Sequence, residues 1–186
     1  MFDYFQWGAL ISGILYVVLA ARQSVWCWLW GAISTVLSGI SFYQSKLYSD
    51  TLLQIYYLAA ACYGYWTWSR KSPAGNMLKV QSFRLQNHLL LIALALGISF
   101  LLGRFWQQFG ASLPYVDAFL AALSIIATWM TTRKILENWL YWILIDLAYV
   151  AMYFHKELFI FVILYAVYAG IAIHGFLKWR GSKNLA

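Results

Sequence analysis

Glu137-Asn138-Trp139-Leu140-Tyr141-Trp142-Ile143-Leu144-Ile145-Asp146-Leu147-Ala148-Tyr149 is an apolar run with a single acid deep inside it. A carboxylate at mid-bilayer depth costs on the order of 3 kcal/mol, so Asp146 is expected to face the interior of a helix bundle. At roughly 100° per residue, Trp139, Trp142, Asp146, Tyr149 and Tyr153 fall within an arc of about 80°. A carboxylate and aromatic ring faces both attract positive charge, most strongly where water is scarce. The run is therefore expected to be a transmembrane helix that carries a candidate cation site.

Composition supports a membrane setting. The chain is 63% hydrophobic, 20% aromatic and only 10% charged, against about a quarter charged in soluble domains. This is the signature of an all-α membrane protein. At about 20 residues per crossing, 186 residues have room for seven transmembrane helices in a single domain, residues 1–186. The helices are expected at about Tyr4–Ala21, Val25–Gln44, Ser49–Trp68, Leu89–Trp106, Tyr115–Thr132, Leu136–Phe154 and Leu158–Trp179. The first has neither a basic leader nor a cleavage pattern, so it is expected to stay in the mature protein. A polar stretch from Ser69 to Arg84, with Pro73, Gly75 and Asn76, marks the main loop, and Gly110 to Pro114 a second break. Cys27 and Cys62 both fall in apolar segments and are expected to be small core residues.

With alternating helices, Arg22, Arg70, Lys71, Lys79, Arg84, Arg133, Lys134, Lys178, Arg180 and Lys183 fall on one side, and Lys46, Arg104 and Lys156 on the other. Short cytoplasmic loops collect Lys and Arg, so the N-terminus is expected outside and the C-terminus in the cytoplasm. Of the acids, Asp3, Asp50, Asp117 and Glu157 fall on the outer side, Glu137 on the inner, and Asp146 alone at depth. The net charge of +7 is thereby a topology signal, which argues against nucleic acid as a partner.

Sliding the chain against itself by 111 residues aligns Arg22 with Arg133, Trp28 with Trp139, Tyr57 with Tyr168, Gly64 with Gly175 and Trp68 with Trp179. A three-helix unit ends on the side opposite its start, so a same-orientation repeat needs one extra crossing, which helix 4 supplies. The expected layout is 3+1+3. Repeat 1 covers about 4–69, a linker loop and helix 4 about 70–110, and repeat 2 about 115–180, giving two parallel three-helix bundles.

The repeat also finds further stripes with the spacing of the Asp146 face. They are Gln54, Tyr57, Ala61, Gly64 and Trp68 on helix 3, and Tyr165, Tyr168, Ala172, Gly175 and Trp179 on helix 7. On helix 2 the partners are Trp28, Gly31, Thr35, Ser38 and Phe42. The candidate substrate-binding residues are Trp139, Trp142, Asp146, Tyr149, Gln54, Tyr57, Thr35, Tyr165, Tyr168 and Thr128, with Asp117 as a candidate outer gate. Each has a plainer alternative. Asp146 could be a structural acid bonded to a neighbouring helix, and Trp139 and Trp142 interfacial belt residues, as Trp68 and Trp179 are expected to be. Gln54, Tyr57, Thr35, Ser38, Ser124 and Thr128 could pack helices through hydrogen bonds. Asp117 could be an ordinary solvated acid, and His88, His155 and His174 are expected at the interface. A nucleophile with its base, a metal cluster or a carboxylate pair at depth is not found, so the chain is not expected to be an enzyme or to carry a metal or cofactor. A seven-helix receptor or scaffold is the other class, against which the direct repeat and short loops argue.

These residues resemble the PnuC-type vitamin transporters, which take up nicotinamide riboside and include thiamine-type relatives. The likeness is carried by Trp139-x-x-Trp142-x-x-x-Asp146, Thr131-Thr132-Arg133-Lys134-Ile135-Leu136-Glu137-Asn138, Lys46-Leu47-Tyr48 leading into Leu53-Gln54-x-Tyr56-Tyr57, and Tyr63-Gly64-Tyr65-x-x-Trp68. The resemblance implies a bacterial inner-membrane protein with a fold laid out like the SWEET sugar transporters. It also implies facilitated diffusion of a vitamin that a cytoplasmic kinase then phosphorylates; a homo-oligomer is compatible with it. Nicotinamide riboside members often have Asn where this chain has Asp146, and can have Asn just before the Tyr-Gly of helix 3, where this chain has Ala61-Cys62. Nicotinamide riboside and thiamine are both permanent cations, and Asp146 suits either.

Overall fold

The computed structural model describes residues 4–44, 48–70, 77–109, 113–155, 157 and 159–184. Within them lie seven helices: α1 Tyr4–Ala21, α2 Cys27–Gln44, α3 Tyr48–Ser69, α4 Leu85–Gln107, α5 Pro114–Thr132, α6 Asn138–His155 and α7 Phe159–Asn184. Four of them, α1, α4, α5 and most of α7, are long and apolar enough to cross a membrane. The other three, α2, α3 and α6, carry the polar and Trp/Tyr-rich stripes, which lower their hydropathy.

Helix existence follows the sequence closely, and the ends differ where polar backbone bonding extends or stops a helix outside the apolar run. α4 begins at Leu85 and α7 continues to Asn184, each beyond its expected limit. α2 begins only at Cys27, because Gln23 takes a left-handed conformation (φ 57) and Ser24 accepts from the Cys27 N–H in a turn. Leu113, also left-handed (φ 56), leads into Pro114 at the first position of α5, where the fixed proline φ suits a helix start. Asp3, Lys71, Lys156, Gly110 and the turn Ser45-Lys46-Leu47 lie outside the described residues.

α1 packs on α2 and α7, α3 on α2 and α5, and α6 on α5 and α7, while the backbone of α4 approaches that of α5 alone and reaches α6 only through the His88 side chain. The 111-residue shift sends α1 to α5, α2 to α6 and α3 to α7. Under it the α1–α2 contact becomes α5–α6, α2–α3 becomes α6–α7, and α1–α7 becomes α5–α3. Each helix contact except that of α4 thus has a counterpart.

The turns between α1 and α2 and between α5 and α6, and the ends of α3 and α7, meet at one end of the bundle, called here the basic end. Four indoles close it. Trp28 meets Trp68 at 5.3 Å and 85°, Trp139 meets Trp179 at 5.4 Å and 89°, and Trp68 joins Trp179 at 5.8 Å across the middle. Trp68 and Trp179 are 1% and 0% exposed, so they are not the belt residues their position at helix ends suggested. The reason lies in their N–H groups: that of Trp68 donates to the Thr132 carbonyl (3.2 Å) and that of Trp179 to the Ala20 carbonyl (3.1 Å). An indole with its one donor satisfied can be buried wholly. Cys27 is buried as expected, but Cys62 is exposed. It follows the inward-facing Ala61 by one residue, hence about 100° round the helix. His88 is not simply interfacial: it is half-buried, with Nδ1 3.1 Å from the Tyr141 hydroxyl.

The segment 77–84 lies across the basic end as a strap. The Gln81 N–H donates to the Lys134 carbonyl (2.9 Å), and the Leu136 N–H to the Gln81 carbonyl (2.8 Å). The Phe83 N–H donates to a Glu137 carboxylate oxygen (3.1 Å), and the Lys183 ammonium to the Ser82 hydroxyl (2.6 Å).

Candidate functional site

A cavity of about 360 Å³ lies between the helices, within the range of small-molecule sites. The ten candidate binding residues all line it: Trp139, Trp142, Asp146 and Tyr149 on α6, Gln54 and Tyr57 on α3, Thr35 on α2, Thr128 on α5, and Tyr165 and Tyr168 on α7. Asp117 does not line it. It sits exposed in the first turn of α5, where a helix N-terminus favours an acid by its dipole, which agrees with the solvated-acid alternative.

Asp146 is 5% exposed. Among the described residues lining the cavity it is the one with a carboxyl group, and none is a lysine or arginine. Its neighbours include Tyr165 and Tyr168, near enough to interact with it electrostatically. Tyr165 packs on Tyr149 at 4.7 Å and meets Tyr168 edge-on at 6.0 Å. The carboxyl group and aromatic rings therefore lie side by side. The lining also includes the small and hydroxylic residues Gly31, Ser34, Thr35, Ser124 and Thr128. Ser124 donates to the Leu120 carbonyl and Thr128 to the Ser124 carbonyl (both 2.8 Å). Both hydroxyls are satisfied within their own helix while keeping acceptor capacity.

Of the repeat stripes, the first three members on α3 (Gln54, Tyr57, Ala61) and on α7 (Tyr165, Tyr168, Ala172) line the cavity. The last two on each, Gly64 with Trp68 and Gly175 with Trp179, build the tryptophan layer beneath it. On α2, Trp28, Gly31 and Thr35 reach the cavity, while Ser38 and Phe42 do not.

The sequence places helix 1 at its observed bounds but singles out none of its residues as lining the cavity. Gly13, Tyr16, Val17 and Ala20 line the cavity, and a signal for three of them existed. Subtracting 111 from the lining residues Ser124, Thr128 and Thr131 gives Gly13, Val17 and Ala20. Tyr16 has no such mate, since its partner position is Ala127. Asn138 was quoted only as part of a motif, yet it lines the cavity at 0% exposure. Its amide donates to the Ile135 carbonyl (2.6 Å) and its Oδ1 accepts from the Thr131 hydroxyl (3.0 Å). An Asn138→Ala protein should lose about 1–3 kcal/mol of stability through the groups left unpaired. Thermal unfolding in detergent measures this, and an unshifted midpoint would remove Asn138 as a structural pin of the α5–α6 turn.

The profile of the nicotinamide mononucleotide transporter family matches residues 3–181. This chain belongs to that family. Among its relatives, the nicotinamide riboside transporter PnuC of Escherichia coli (strain K12) is 27% identical, over 95% of this chain and 87% of the relative. The riboflavin/roseoflavin transporter RibM of Streptomyces davaonensis is 25% identical, over 91% of this chain and 81% of its own. The crystal structure of the vitamin B3 transporter PnuC has the same fold, with a TM-score of 0.76, 20% identity, and coverage of 96% of this chain and 81% of that one. Family membership and the apolar helices make this a multi-pass membrane protein of a transporter family.

Proposed function

We propose that the chain is an uptake transporter for a permanently cationic vitamin, nicotinamide riboside first, moved by facilitated diffusion. The observation that carries this is the lone buried carboxylate of Asp146 on the aromatic wall of a metabolite-sized cavity. The relatives named for nicotinamide riboside lend the substrate. Thiamine is the second reading, because Asp146 would attract a thiazolium as well as a pyridinium. Trp139, Trp142, Tyr149, Tyr165 and Tyr168 would hold the ring system, and Gln54, Tyr57, Thr35 and Thr128 the polar remainder.

In this proposal helices α1–α3 and α5–α7 are two parallel bundles joined by α4, a 3+1+3 layout supported by the matched helix contacts. The basic end would face the cytoplasm of a bacterial inner membrane, with the N-terminus outside, as the Lys and Arg distribution favours. Phosphorylation of the vitamin by a cytoplasmic kinase would keep uptake running downhill.

A monovalent cation entering a negative interior gains about 2.3 kcal/mol per 100 mV, so no coupling ion is needed. Uptake of nicotinamide riboside into proteoliposomes should fall when the membrane potential is collapsed and stay the same without a sodium gradient. Strict sodium dependence would overturn facilitated diffusion. Binding of nicotinamide riboside, thiamine and riboflavin measured side by side by calorimetry identifies the substrate.

A further inference from the structure

Lys134 and Gln23 are repeat mates, 111 residues apart, and they meet. Both sit in left-handed backbone conformations, with φ 51 and 57, at the α5–α6 and α1–α2 turns. A left-handed backbone is uncommon for residues other than glycine. The Lys134 ammonium is 3.5 Å from Gln23 Oε1 and 4.6 Å from the centre of the Trp68 ring. Gln23 Nε2 in turn donates to the Ser182 hydroxyl near the end of α7 (2.7 Å). We infer that Lys134 and Gln23 form the lock of the gate at the basic end, which must part each time substrate leaves on that side. This rests on the transport reading.

The layer above the lock is deeply buried. Trp28, Trp68, Trp139, Trp179 and Cys27 are each at most 2% exposed, whereas Gln54, Tyr57, Tyr149 and Tyr165 higher in the cavity are half-buried. Substrate leaving past the basic end has to separate those indoles. The contacts that join them run between the first three helices and the last three. They include Trp68 and Thr67 to Thr132, Trp179 to Ala20, Gln23 to Ser182, Arg133 to Tyr63, and Lys134 to Gln23 and Trp68. Relative motion of the two sets breaks all of them together.

The lock is built to open. Lys134 is 7% exposed, yet its recorded partners are a neutral amide at the long end of hydrogen-bond distance and an aromatic face. Among the described residues no carboxylate lies within ion-pair distance of it. Burial pushes its pKa below the usual lysine value, with the Cys27 thiol acting the other way. An ammonium held this way is costly to keep buried, and its flexible stem can carry it out to water. The paired indole N–H groups of Trp28 and Trp139 are also buried with no acceptor among the described residues. Closed and open arrangements are thereby kept near each other in free energy, as a gate requires.

Cys27 lies in the closed layer and reports on it. In a Cys62→Ala background, which removes the exposed thiol, the labelling rate of Cys27 by a small polar maleimide measures opening. Lys134→Met keeps the stem and removes the charge, and Gln23→Asn keeps a residue tolerant of the left-handed backbone while losing reach. Each should speed Cys27 labelling at least about tenfold. The double variant should be no faster than the faster single one, because the two residues act as one contact. Nicotinamide riboside affinity should stay within about threefold. Labelling unchanged within twofold overturns the lock. So do multiplicative effects in the double variant with a matching fall in melting temperature, which would make both residues merely structural. Failure of the unsubstituted protein to bind any of the three vitamins would count against the transport reading, and the labelling rates would still decide the lock.

Discussion

Replacing Asp146 with Ala should weaken binding of nicotinamide riboside about 30-fold, equivalent to about 2 kcal/mol, while leaving the affinity for any uncharged ligand that the cavity accepts unchanged. Two unit charges 4 Å apart attract by about 4 kcal/mol at an effective dielectric constant of 20. Desolvating the carboxylate and the cation offsets part of that. Asp146 shares its wall with Trp142, Tyr149 and Tyr165, and these rings attract a cation by their faces when the carboxylate is gone. The loss should therefore be large without being complete. Asp146→Asn, which keeps the shape of the side chain but replaces one acceptor oxygen by an amide donor, should fall between the unsubstituted protein and Asp146→Ala. Calorimetry on the purified variants decides it. Equal losses for charged and neutral ligands would make Asp146 a packing residue, and an unchanged affinity would remove it from the site.

The second large effect is steric. Gly64 and Gly175 lie against the faces of Trp28 and Trp139. A Cβ at Gly64 would come 2.3 to 2.5 Å from three indole atoms, and one at Gly175 about 2.8 Å. A ring in a filled layer has nowhere to retreat except toward the cavity. Gly64→Ala should therefore cost about 3 kcal/mol, at the upper end for overpacking. It should also diminish vitamin binding as Trp28 is driven inward, and Gly175→Ala should do the same to a smaller degree. Gly97 and Gly170 have nothing within 4 Å of such a Cβ, and alanine there should be neutral or slightly stabilising, because it is the better helix former. Thermal unfolding of the four variants gives the order directly. If Gly64→Ala were as stable as Gly97→Ala, the close approach of Trp28 would have no energetic meaning.

Much of the site could be read from one dimension because two periodicities overlay in it. The helical period places Trp139, Trp142, Asp146 and Tyr149 on one face, the 111-residue repeat carries that face to Trp28, Gly31 and Thr35, and the same repeat pairs Gln54 with Tyr165 and Tyr57 with Tyr168. All of these line the cavity. Tyr16 was invisible to both, since its repeat mate is alanine and α1 has hardly any polar contrast. Trp68 and Trp179 show the opposite failure. A tryptophan near the end of an apolar helix is usually a belt residue, and only the arrival of the Thr132 and Ala20 carbonyls allows these two to be buried.

The amino-acid order by itself determined the number of helices among the described residues, the grouping of basic residues and the face on which Asp146 lies. Those follow from hydropathy, charge and helical pitch, which are properties of single segments. How deeply the indole layer is buried, and that Lys134 meets Gln23 beneath four indoles in edge-to-face and tilted contact, was decided only in three dimensions. Those contacts depend on how two separate triplets of helices come together, and no period within either triplet encodes the distance between them.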